Sequence, residues 1–431
     1  MALEGVVSGA TVSIHGISSQ GAGVGELPDG RVVFVDRTAP GDVAEIEVTK
    51  EATSWARARL VRLVEEGPDR VEPPCPLYDD CGGCALQHLA YDRQLHWKGR
   101  MVVDALERIG GLDEVPDPEV VPSPRELRYR DRLSFTLRRL RGGRVVAGFH
   151  HLHRSGHVVD VHDECLLGVE PLKEVWVGLR KAWGGNAQRL PEGGRLRLTL
   201  RLVGTDAAGL LVEGGAAGWR GGGLVDEVPG LVDVWHEPSG AAQALRVAGP
   251  QGPSDDDGVR PGAFTQVNPV VAPHLRDHVL EQIPEEGDVL DAYCGVGVYG
   301  RALAEDGRAV TGIEVDPAAC ATARRGAPDG FQLREGRVED LLEDVLPADT
   351  VIVNPPRTGL DDRVPGVLLG AEPHRIVYVS CDPATLARDL ARLAPTYRLT
   401  GLRCFDLFPQ TAHIESVAVL EPMDGAGEVA A

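Results

Sequence analysis

Short apolar runs separated by turn residues dominate the first part of the chain. Residues 6–14, 31–36 and 43–48 are rich in alternating apolar positions, and Gly-rich or Pro-Gly turns separate them. Alternation with a period of two is typical of half-buried strands, and closely spaced turns favour a compact all-β unit. We therefore expect residues 1–66 to form a small β-barrel, an architecture that often binds single-stranded nucleic acid.

The pattern changes to a helical period after a cysteine-bearing loop over residues 67–92. From Tyr91 to about Ile109 the apolar positions recur at helical spacing, and the run ends at Gly110-Gly111. Residues 120–250 contain several alternating segments, including 133–137 and 195–202. The turn-rich stretch 249–258 then predicts a boundary. Residues 67–250 are thus expected to form a central, strand-rich α+β domain.

The last part of the chain alternates short apolar runs with helix-like stretches. The runs are residues 288–291, 309–314, 350–353 and 375–380, and each is followed by a loop. Such alternation is typical of parallel, doubly wound sheets. Residues 398–407 and 414–420 predict a terminal antiparallel hairpin. The fold class expected for the chain is α/β, with a doubly wound Rossmann-like domain over residues 251–431.

Composition narrows the classes of protein to consider. Of the 431 residues, 43% are hydrophobic and 25% are charged, as expected for a globular chain. No apolar run approaches the roughly 20 residues that a membrane span needs. The first residues lack the basic segment of a secretory signal. We expect a cytoplasmic monomer without a membrane partner, in which the eight cysteines form no disulfide framework and metal-binding or catalytic roles are favoured, with Cys294, Cys320 and Cys404 as structural residues.

Charge points to a local rather than a general affinity for nucleic acid. The net charge of −21 argues against nonspecific binding, and we expect no DNA partner. Residues 121–150 nevertheless carry eight arginines against Glu126 and Asp131, a local charge of +6. The stretch is either the solvated face of a sheet or a surface that binds phosphate groups. The arginines are Arg125, Arg128, Arg130, Arg132, Arg138, Arg139, Arg141 and Arg144.

A glycine-rich loop follows the first strand of the last domain. Residues 291–300 read DAYCGVGVYG, in which Gly295 and Gly297 allow a ligand to approach the backbone closely. Glu314 ends the next strand, where a carboxylate can accept hydrogen bonds from ribose hydroxyls. The spacing fits either NAD or S-adenosylmethionine. Asp291 favours S-adenosylmethionine, whose sulfonium and amino groups are positive, over a pyrophosphate.

A second motif lies at the carboxyl end of a later strand, where ligands bind in such sheets. Asn354-Pro355-Pro356 followed by an aromatic residue marks enzymes that methylate exocyclic amines. Here Arg357 stands in the aromatic position, so the side chain that would stack on the base is absent.

One cysteine lies where a strand meets a helix. In Ser380-Cys381-Asp382-Pro383 the aspartate and the proline suit the cap and the first turn. A helix N-terminus lowers a thiol pKa, so we expect Cys381 to be a thiolate nucleophile. Glu415, two residues after His413, begins the final strand and is either an ordinary edge residue or a base.

These two residue types suit methylation at C5 of uracil. This carbon is a poor nucleophile until a thiolate adds to C6 and makes an enolate. After C5 has taken the methyl group, a base removes the C5 proton and the thiolate leaves.

Four further cysteines form a candidate metal site. Cys75, Cys81 and Cys84 lie close together in sequence, and Cys165 follows 81 residues after Cys84. Four thiolates bind either zinc or an iron–sulfur cluster, and the spacing alone does not distinguish these.

Together these motifs closely resemble the RNA uracil-C5 methyltransferases, which form 5-methyluridine in 23S ribosomal RNA or tRNA. The resemblance extends over nearly the whole chain. It rests on a TRAM-like N-terminal barrel and on the segments PPCPLYDDCGGCALQH, FTQVNP, DAYCGVGVYG, NPPRTGL, SCDPATLARDL and HIES.

The resemblance implies roles for individual residues. It implies an RNA-binding barrel, Cys381 as the nucleophile and Glu415 as the base. It implies a 4Fe–4S cluster on four cysteines, and S-adenosylmethionine contacts from four further residues. The implied cluster ligands are Cys75, Cys81, Cys84 and Cys165, and the implied cofactor contacts are Gln266, Tyr293, Glu314 and Asn354.

Two positions depart from the family pattern. Asn354 stands where the family usually has aspartate, so it offers a hydrogen bond without a charge. Val298 stands where an asparagine is common. These departures keep two alternatives open: a noncatalytic RNA-binding protein with a relict methyltransferase fold, and an exocyclic-amine methyltransferase that uses the Asn-Pro-Pro segment.

Overall fold

The computed structural model describes residues 8–113, 115–241, 243–249 and 266–423. Contacts among the described residues divide the chain into two compact units, whose ranges also span undescribed positions. The first contains residues 1–14, 26–90 and 125–269, and the second contains residues 15–25, 91–124 and 270–431. No helix of the described ranges is both long enough and apolar enough to cross a membrane.

The N-terminal strands close into a five-stranded barrel. Its order is β1-β2-β3-β5-β4, with β3 and β5 parallel. Alternate residues of each strand point inward and form a core of valine, isoleucine, leucine and alanine side chains. The strands are β1 (Ser8–Ile17), β2 (Gly23–Glu26), β3 (Val32–Val35), β4 (Val43–Glu51) and β5 (Trp55–Glu65).

A long helix and a short strand follow the cysteine-bearing loop. Helix α1 (Tyr91–Arg108) packs against the last helix of the chain through Val102 and Leu106. Strand β6 (Glu119–Val121) pairs in parallel with residues 403–405, and so belongs to the C-terminal sheet. The sequence does not predict this pairing, since residues 67–250 were all expected to belong to the central domain.

The central domain is a six-stranded sheet with a helix on one face. The sheet order is β14-β13-β12-β11-β7-β8, and the indole of Trp176 lies fully buried in its core. A two-stranded ribbon, β9 with β10, lies beside it. The elements are β7 (Arg132–Arg139), β8 (Val145–Gly148), β9 (His150–His151), β10 (Arg154–Val158), α2 (Glu170–Ala182), β11 (Arg195–Val203), β12 (Ala207–Glu213), α3 (Leu224–Glu227), β13 (Leu231–Glu237) and β14 (Leu245–Ala248), with short 3-10 turns at Gly185–Ala187 and Gly221–Gly223.

The C-terminal sheet has eight strands in the order β17-β16-β15-β18-β19-β21-β20-β6. Strands β15 to β19 are parallel, and β21 is antiparallel to both β19 and β20. The elements are α4 (Ala272–Glu281), β15 (Val289–Ala292), α5 (Val298–Glu305), β16 (Val310–Glu314), α6 (Pro317–Arg324), β17 (Phe331–Glu335), α7 (Val338–Val345), β18 (Thr350–Val353), α8 (Val364–Ala371), β19 (Arg375–Ser380), α9 (Pro383–Leu393), β20 (Tyr397–Phe405) and β21 (Glu415–Pro422).

This topology confirms the predicted α/β class, the N-terminal barrel and the terminal hairpin. Strand order reverses between β15 and β18, and the loops after the parallel strands meet at one edge, where such sheets bind ligands. Of the predicted boundary 249–258, residues 250–258 lie outside the described residues, so the structure describes only its first position.

Candidate active site

The glycine loop after β15 forms a cradle in which side chains lie close to the backbone at the start of α5. Gly295 and Gly297 have φ values of 58° and 83°, which favour glycine. A Cβ on Gly300 would lie 2.6 Å from the ring of Phe331 and 3.1 Å from Asp291. The N–H of Gly300 donates to Asp291 Oδ2 at 2.9 Å, so the carboxylate lies directly beneath the loop.

Asp291 is fully buried, and burial raises its pKa to about 7. Its Oδ1 atom finds no hydrogen-bond partner among the described residues. An unpartnered buried carboxylate oxygen costs free energy unless a ligand or water satisfies it. The cradle therefore suits a ligand that carries positive charge or hydrogen-bond donors.

Glu314 ends β16 and ties the two neighbouring loops together. Its Oε2 accepts from the N–H of Gly295 at 2.9 Å, and its Oε1 accepts from Val315 and Asp316 at 2.8 and 2.6 Å. Each carboxylate oxygen can accept more than one hydrogen bond. The side chain is thus held in place with capacity left for ribose hydroxyls.

The other predicted cofactor residues occupy different parts of the chain. Tyr293 has a φ of 61°, a left-handed backbone that is uncommon for a bulky residue and often marks functional loops. Asn354 directly follows β18, and its N–H donates to the carbonyl of Ala292 at 3.3 Å. Val298 is exposed at the start of α5. Gln266 belongs to the first unit, and its contact with a cofactor stays a prediction.

Strand register brings Cys381 and Glu415 together. Ser380 at the end of β19 pairs with Ser416 in β21, so the next residue outward on each strand is Cys381 and Glu415. Asp382 caps α9 as predicted, because its carboxylate accepts from the N–H groups of Ala384 and Thr385 at 3.0 Å each. The thiol and the carboxyl therefore share the ligand-binding edge of the sheet.

The structure does not reproduce the lowered pKa that the helix N-terminus predicts for the Cys381 thiol. Burial and the nearby carboxylate of Glu415 raise the pKa of the thiol to about 11, and Arg357 only partly offsets them. The helix N-terminus does not outweigh the loss of solvent around a half-buried sulfur.

Glu415 is not an ordinary edge residue. Its side chain is buried, and desolvation raises its pKa to about 8, against which the positive charge of Arg357 acts. A carboxyl group with a pKa near the working pH is suited to accept a proton during catalysis. Of the two alternatives for Glu415, the structure favours the base.

The charge of Arg357 favours the ionised form of both Cys381 and Glu415. It follows the two prolines after β18, and its side chain is exposed. The motif showed only that an aromatic residue was absent. The cation's proximity to both groups could be recognised only from the arrangement of the strands.

Asp389 anchors the loop that carries Asn354 and Arg357. Its buried Oδ2 accepts from the N–H of Leu360 and from the hydroxyl of Tyr378, each at 2.8 Å. Arg388 ties its guanidinium to Asp389 Oδ1 at 2.9 Å and to the carbonyl of Thr358 at 2.8 Å. The first turns of α9 thus hold the neighbouring loop in place.

We expect Asp389→Ala to lower the free energy of unfolding by about 3 kcal/mol, because it leaves the buried N–H of Leu360 and the buried hydroxyl of Tyr378 without their acceptor. Chemical denaturation measures this effect. Asp362→Ala is the matched control, since Asp362 also pairs with Arg392 but is 89% exposed and should cost under about 1 kcal/mol. Equal losses in the two variants would contradict the anchoring role.

The four predicted cluster ligands line one small cavity in the first unit. Cys75, Cys81, Cys84 and Cys165 form its wall together with apolar side chains. Burial raises the pKa of the Cys81 thiol to about 11 and of the Cys84 thiol to about 12. Within the described ranges, no three His, Cys, Asp or Glu side chains converge closely enough to hold a single metal ion.

Arg37, between β3 and β4, clamps the cysteine loop to the barrel. Its guanidinium lies 3.6 Å from the centre of the Tyr78 ring. It donates to the carbonyls of Tyr78, Cys81 and Cys84 at 2.5, 2.7 and 2.9 Å. One planar guanidinium thus holds three carbonyls of the loop and fixes its shape, although Arg37 itself is not a predicted cluster ligand.

The arginine-rich stretch is not a uniform phosphate-binding surface. Arg128 donates to the carbonyls of Cys165 and Gly168, and Arg139 donates to the carbonyl of Ala187 at 2.8 Å. Arg141 and Arg144 are exposed in the turn between β7 and β8. Part of the positive charge therefore stabilises loops, and part faces solvent.

Comparisons with known proteins agree with this geometry. Residues 6–61 match the TRAM domain, 261–364 the methyltransferase small domain and 333–423 the tRNA (uracil-5-)-methyltransferase family. An uncharacterized RNA methyltransferase of Halalkalibacterium halodurans is 32% identical over 95% of this chain and 96% of its own length. One from Gloeobacter violaceus is 34% identical over the same shares.

A solved structure shares the fold over almost the full length. The Pyrococcus abyssi tRNA (uracil-54, C5)-methyltransferase, in complex with S-adenosyl-L-homocysteine, is 29% identical with a TM-score of 0.72. The match covers 95% of this chain and 99% of that one.

Proposed function

The chain belongs to the family of S-adenosylmethionine-dependent RNA uracil-5 methyltransferases, and we propose that it forms 5-methyluridine in tRNA or 23S rRNA through a covalent adduct with Cys381. The observation that carries the mechanism is the β19–β21 register, which sets Cys381 opposite Glu415 at the cofactor edge of the sheet. Membership of an enzyme family leaves the noncatalytic alternative without support.

The proposed reaction uses the two side chains in sequence. Cys381 first loses its proton to solvent and reacts as a thiolate: its sulfur bonds to C6 of the uracil, and the C5–C6 double bond becomes an enolate. C5 then takes the methyl group, and S-adenosylhomocysteine is the leaving product. Glu415 accepts the proton from C5, the double bond reforms and the sulfur leaves C6.

The same edge fits the methyl donor. Asp291 Oδ1 lies unpartnered beneath the glycine cradle, and Glu314 retains acceptor capacity for a ribose. We propose that Gln266, Tyr293, Glu314 and Asn354 contact the cofactor, which supplies an electrophilic methyl group when bound. Arg357 favours the ionised thiol and carboxylate that the reaction needs.

Nucleoside analysis of RNA after reaction tests this function. We expect labelled methyl groups from S-adenosylmethionine to appear as 5-methyluridine in tRNA or 23S rRNA from a strain that lacks the protein. RNA with a C5-methyl group already present at the target uridine is the control and should accept none. If methylated adenine or guanine appears instead, the protein methylates exocyclic amines and the proposed function is wrong.

The four cysteines line one cavity, which is the observation that supports a shared metal site. Four thiolates can hold either zinc or an iron–sulfur cluster, and the resemblance to the family favours the cluster. We propose a 4Fe–4S cluster on Cys75, Cys81, Cys84 and Cys165, where it would crosslink the 75–84 loop to residue 165.

Arg37 offers a test of the cluster that does not depend on activity. We expect Arg37→Met to speed the loss of iron to a chelator by about tenfold, because residues around metal ligands typically change affinity by that order. Visible absorbance of anaerobic protein follows the loss. Arg62→Met is the matched control on the same barrel, since Arg62 is 65% exposed and pairs with Glu45.

Two results would count against these assignments. Wild-type protein that binds stoichiometric zinc instead of iron would refute the cluster. Arg37→Met protein that retains iron as long as the wild type would refute the clamp.

A further inference from the structure

The loop that leads into Glu415 is buried and unusually rich in polar contacts. This loop, residues 406–414 between β20 and β21, is named here the base loop. Asp406, Gln410 and Thr411 are buried in it. Gln410 has a φ of 69°, a left-handed backbone that is unfavourable for a residue other than glycine. Such a conformation persists only where surrounding contacts hold it.

Helix α1 supplies those contacts from within the same unit. Lys98 is fully buried and donates to Asp406 Oδ1 at 2.6 Å and to the carbonyl of Phe408 at 3.0 Å. Tyr91 donates its hydroxyl to Asp406 Oδ2 at 3.0 Å. The start of the base loop is therefore fixed by two side chains of one helix.

Gln94 holds the strained residue itself. Its Nε2 donates to Gln410 Oε1 at 3.0 Å, and its Oε1 accepts from the N–H of Gln410, also at 3.0 Å. The next residue, Thr411, connects the two halves of the base loop, since its hydroxyl donates to the carbonyl of Phe408 and accepts from the N–H of His413. Two residues later the chain reaches Glu415.

Tyr91, Gln94 and Lys98 lie at helical spacing, so they form one face of α1. A buried lysine–aspartate pair contributes little net stability after desolvation, but it can specify one arrangement. Here the pair and the two glutamines fix a loop that ends at the base. The contacts join residues more than 300 positions apart in sequence.

We propose that Tyr91, Gln94 and Lys98 are positioning residues, which hold the base loop so that Glu415 faces C5 of the methylated adduct. The inference rests on the proposed function of Glu415. Proton removal is the step that needs the base, whereas sulfur addition and methyl transfer do not. Displacing the loop therefore slows one step and leaves the methylated adduct to accumulate.

The test separates methyl transfer from proton removal on natural uridine RNA. Labelled S-adenosylmethionine measures methyl transfer in a single turnover, tritium at C5 measures proton release, and denaturing gels measure the covalent complex. We expect Gln94→Leu to slow tritium release by about thirtyfold, since an ångström-scale displacement has effects of this order. Methyl transfer should stay within about threefold, and the adduct should rise about tenfold.

A milder variant and a control keep the result interpretable. Tyr91→Phe keeps the ring and loses the hydroxyl, so it should show the same pattern with a smaller amplitude even if Gln94→Leu folds poorly. Glu107→Gln lies on the exposed part of the same helix and should match the wild type.

Glu415→Gln distinguishes the two proposals. If it accumulates methylated adduct but Gln94→Leu and Tyr91→Phe do not, the positioning inference is overturned and the base stands. An equal loss of methyl transfer and tritium release in Gln94→Leu and Tyr91→Phe also overturns it. If Glu415→Gln accumulates no adduct, the base assignment itself is wrong.

Discussion

Cys381→Ala should reduce methyl transfer by about 10⁴-fold or more, because the uracil then has no group that activates C5. The variant removes a sulfur at a half-buried position and leaves the capping carboxylate of Asp382 in place, so α9 should remain folded. Radiolabelled methyl transfer into RNA measures the rate. RNA affinity measured by filter binding should stay within about threefold of the wild type.

Cys404→Ala is the matched control for this loss. Cys404 lies in strand β20, which β21 separates from β19; it is fully buried, with its sulfur 3.6 Å from the hydroxyl of Ser416. Its removal should affect stability rather than the chemical step. Methyl transfer at the wild-type rate in Cys381→Ala would show that this thiol is not the nucleophile.

Glu415→Gln should lower multiple turnover by roughly 10²–10⁴-fold while a methylated covalent complex with ordinary uridine RNA accumulates. The amide keeps the shape of the side chain but cannot accept the C5 proton. Denaturing gels with labelled methyl groups detect the complex. A variant that turns over normally, or that stalls before methyl transfer, would contradict the role of the base.

The pH dependence of the wild type should report the same group. Burial raises the pKa of Glu415 to about 8, so below that pH the free enzyme holds the carboxyl protonated and unable to act as a base. We expect the single-turnover rate of proton release from C5 to rise with pH up to about 8. Glu415→Gln should lose this pH dependence, and a wild-type release rate that stays constant between pH 6 and 9 would contradict the role of Glu415.

The reactivity of the Cys381 thiol gives an independent check on the electrostatic interaction between Cys381 and Glu415. The carboxylate of Glu415 contributes to the raised pKa of Cys381, so removing it should lower the thiol pKa. Alkylation of Cys381 by iodoacetamide should therefore be faster in Glu415→Gln than in wild type at pH values above 8, where the carboxylate is ionised.

The sequence predicted elements with a local signal well. Turn residues between alternating runs indicated the barrel, and strand–helix alternation indicated the parallel sheet and its terminal hairpin. The capping role of Asp382 was predictable for the same reason. The three-residue strand β6 was not, because it pairs with residues more than 280 positions away and has no pattern of its own.

Helix α1 shows where periodicity fails. The apolar positions predicted its buried face, yet Ile109 at its end is 52% exposed while Gln94 and Lys98 are buried. Polar side chains are expected to face solvent unless they have a buried hydrogen-bond partner. The partners of Gln94 and Lys98 lie in the base loop. No local feature of residues 91–108 identifies Asp406 or Gln410.

The pKa shifts and charge partners of the site residues could not be predicted without the fold. The sequence placed Cys381 beside a helix N-terminus, which favours a thiolate. Burial and the opposite strand reversed the direction of the pKa shift, because Glu415 becomes a neighbour only through the β19–β21 register. Likewise, Arg128 was expected either on a solvated face or on a phosphate-binding surface, but it donates to the backbone of residue 165.

Covalent trapping tests the central claim most directly. RNA that carries 5-fluorouridine at the target position cannot lose the C5 substituent as a proton, so the methylated adduct should persist. Protease digestion and mass spectrometry of the trapped complex should place the nucleotide on the peptide that contains Cys381, with one added methyl group. Attachment to any other residue, or equal trapping by Cys381→Ala, would contradict the account.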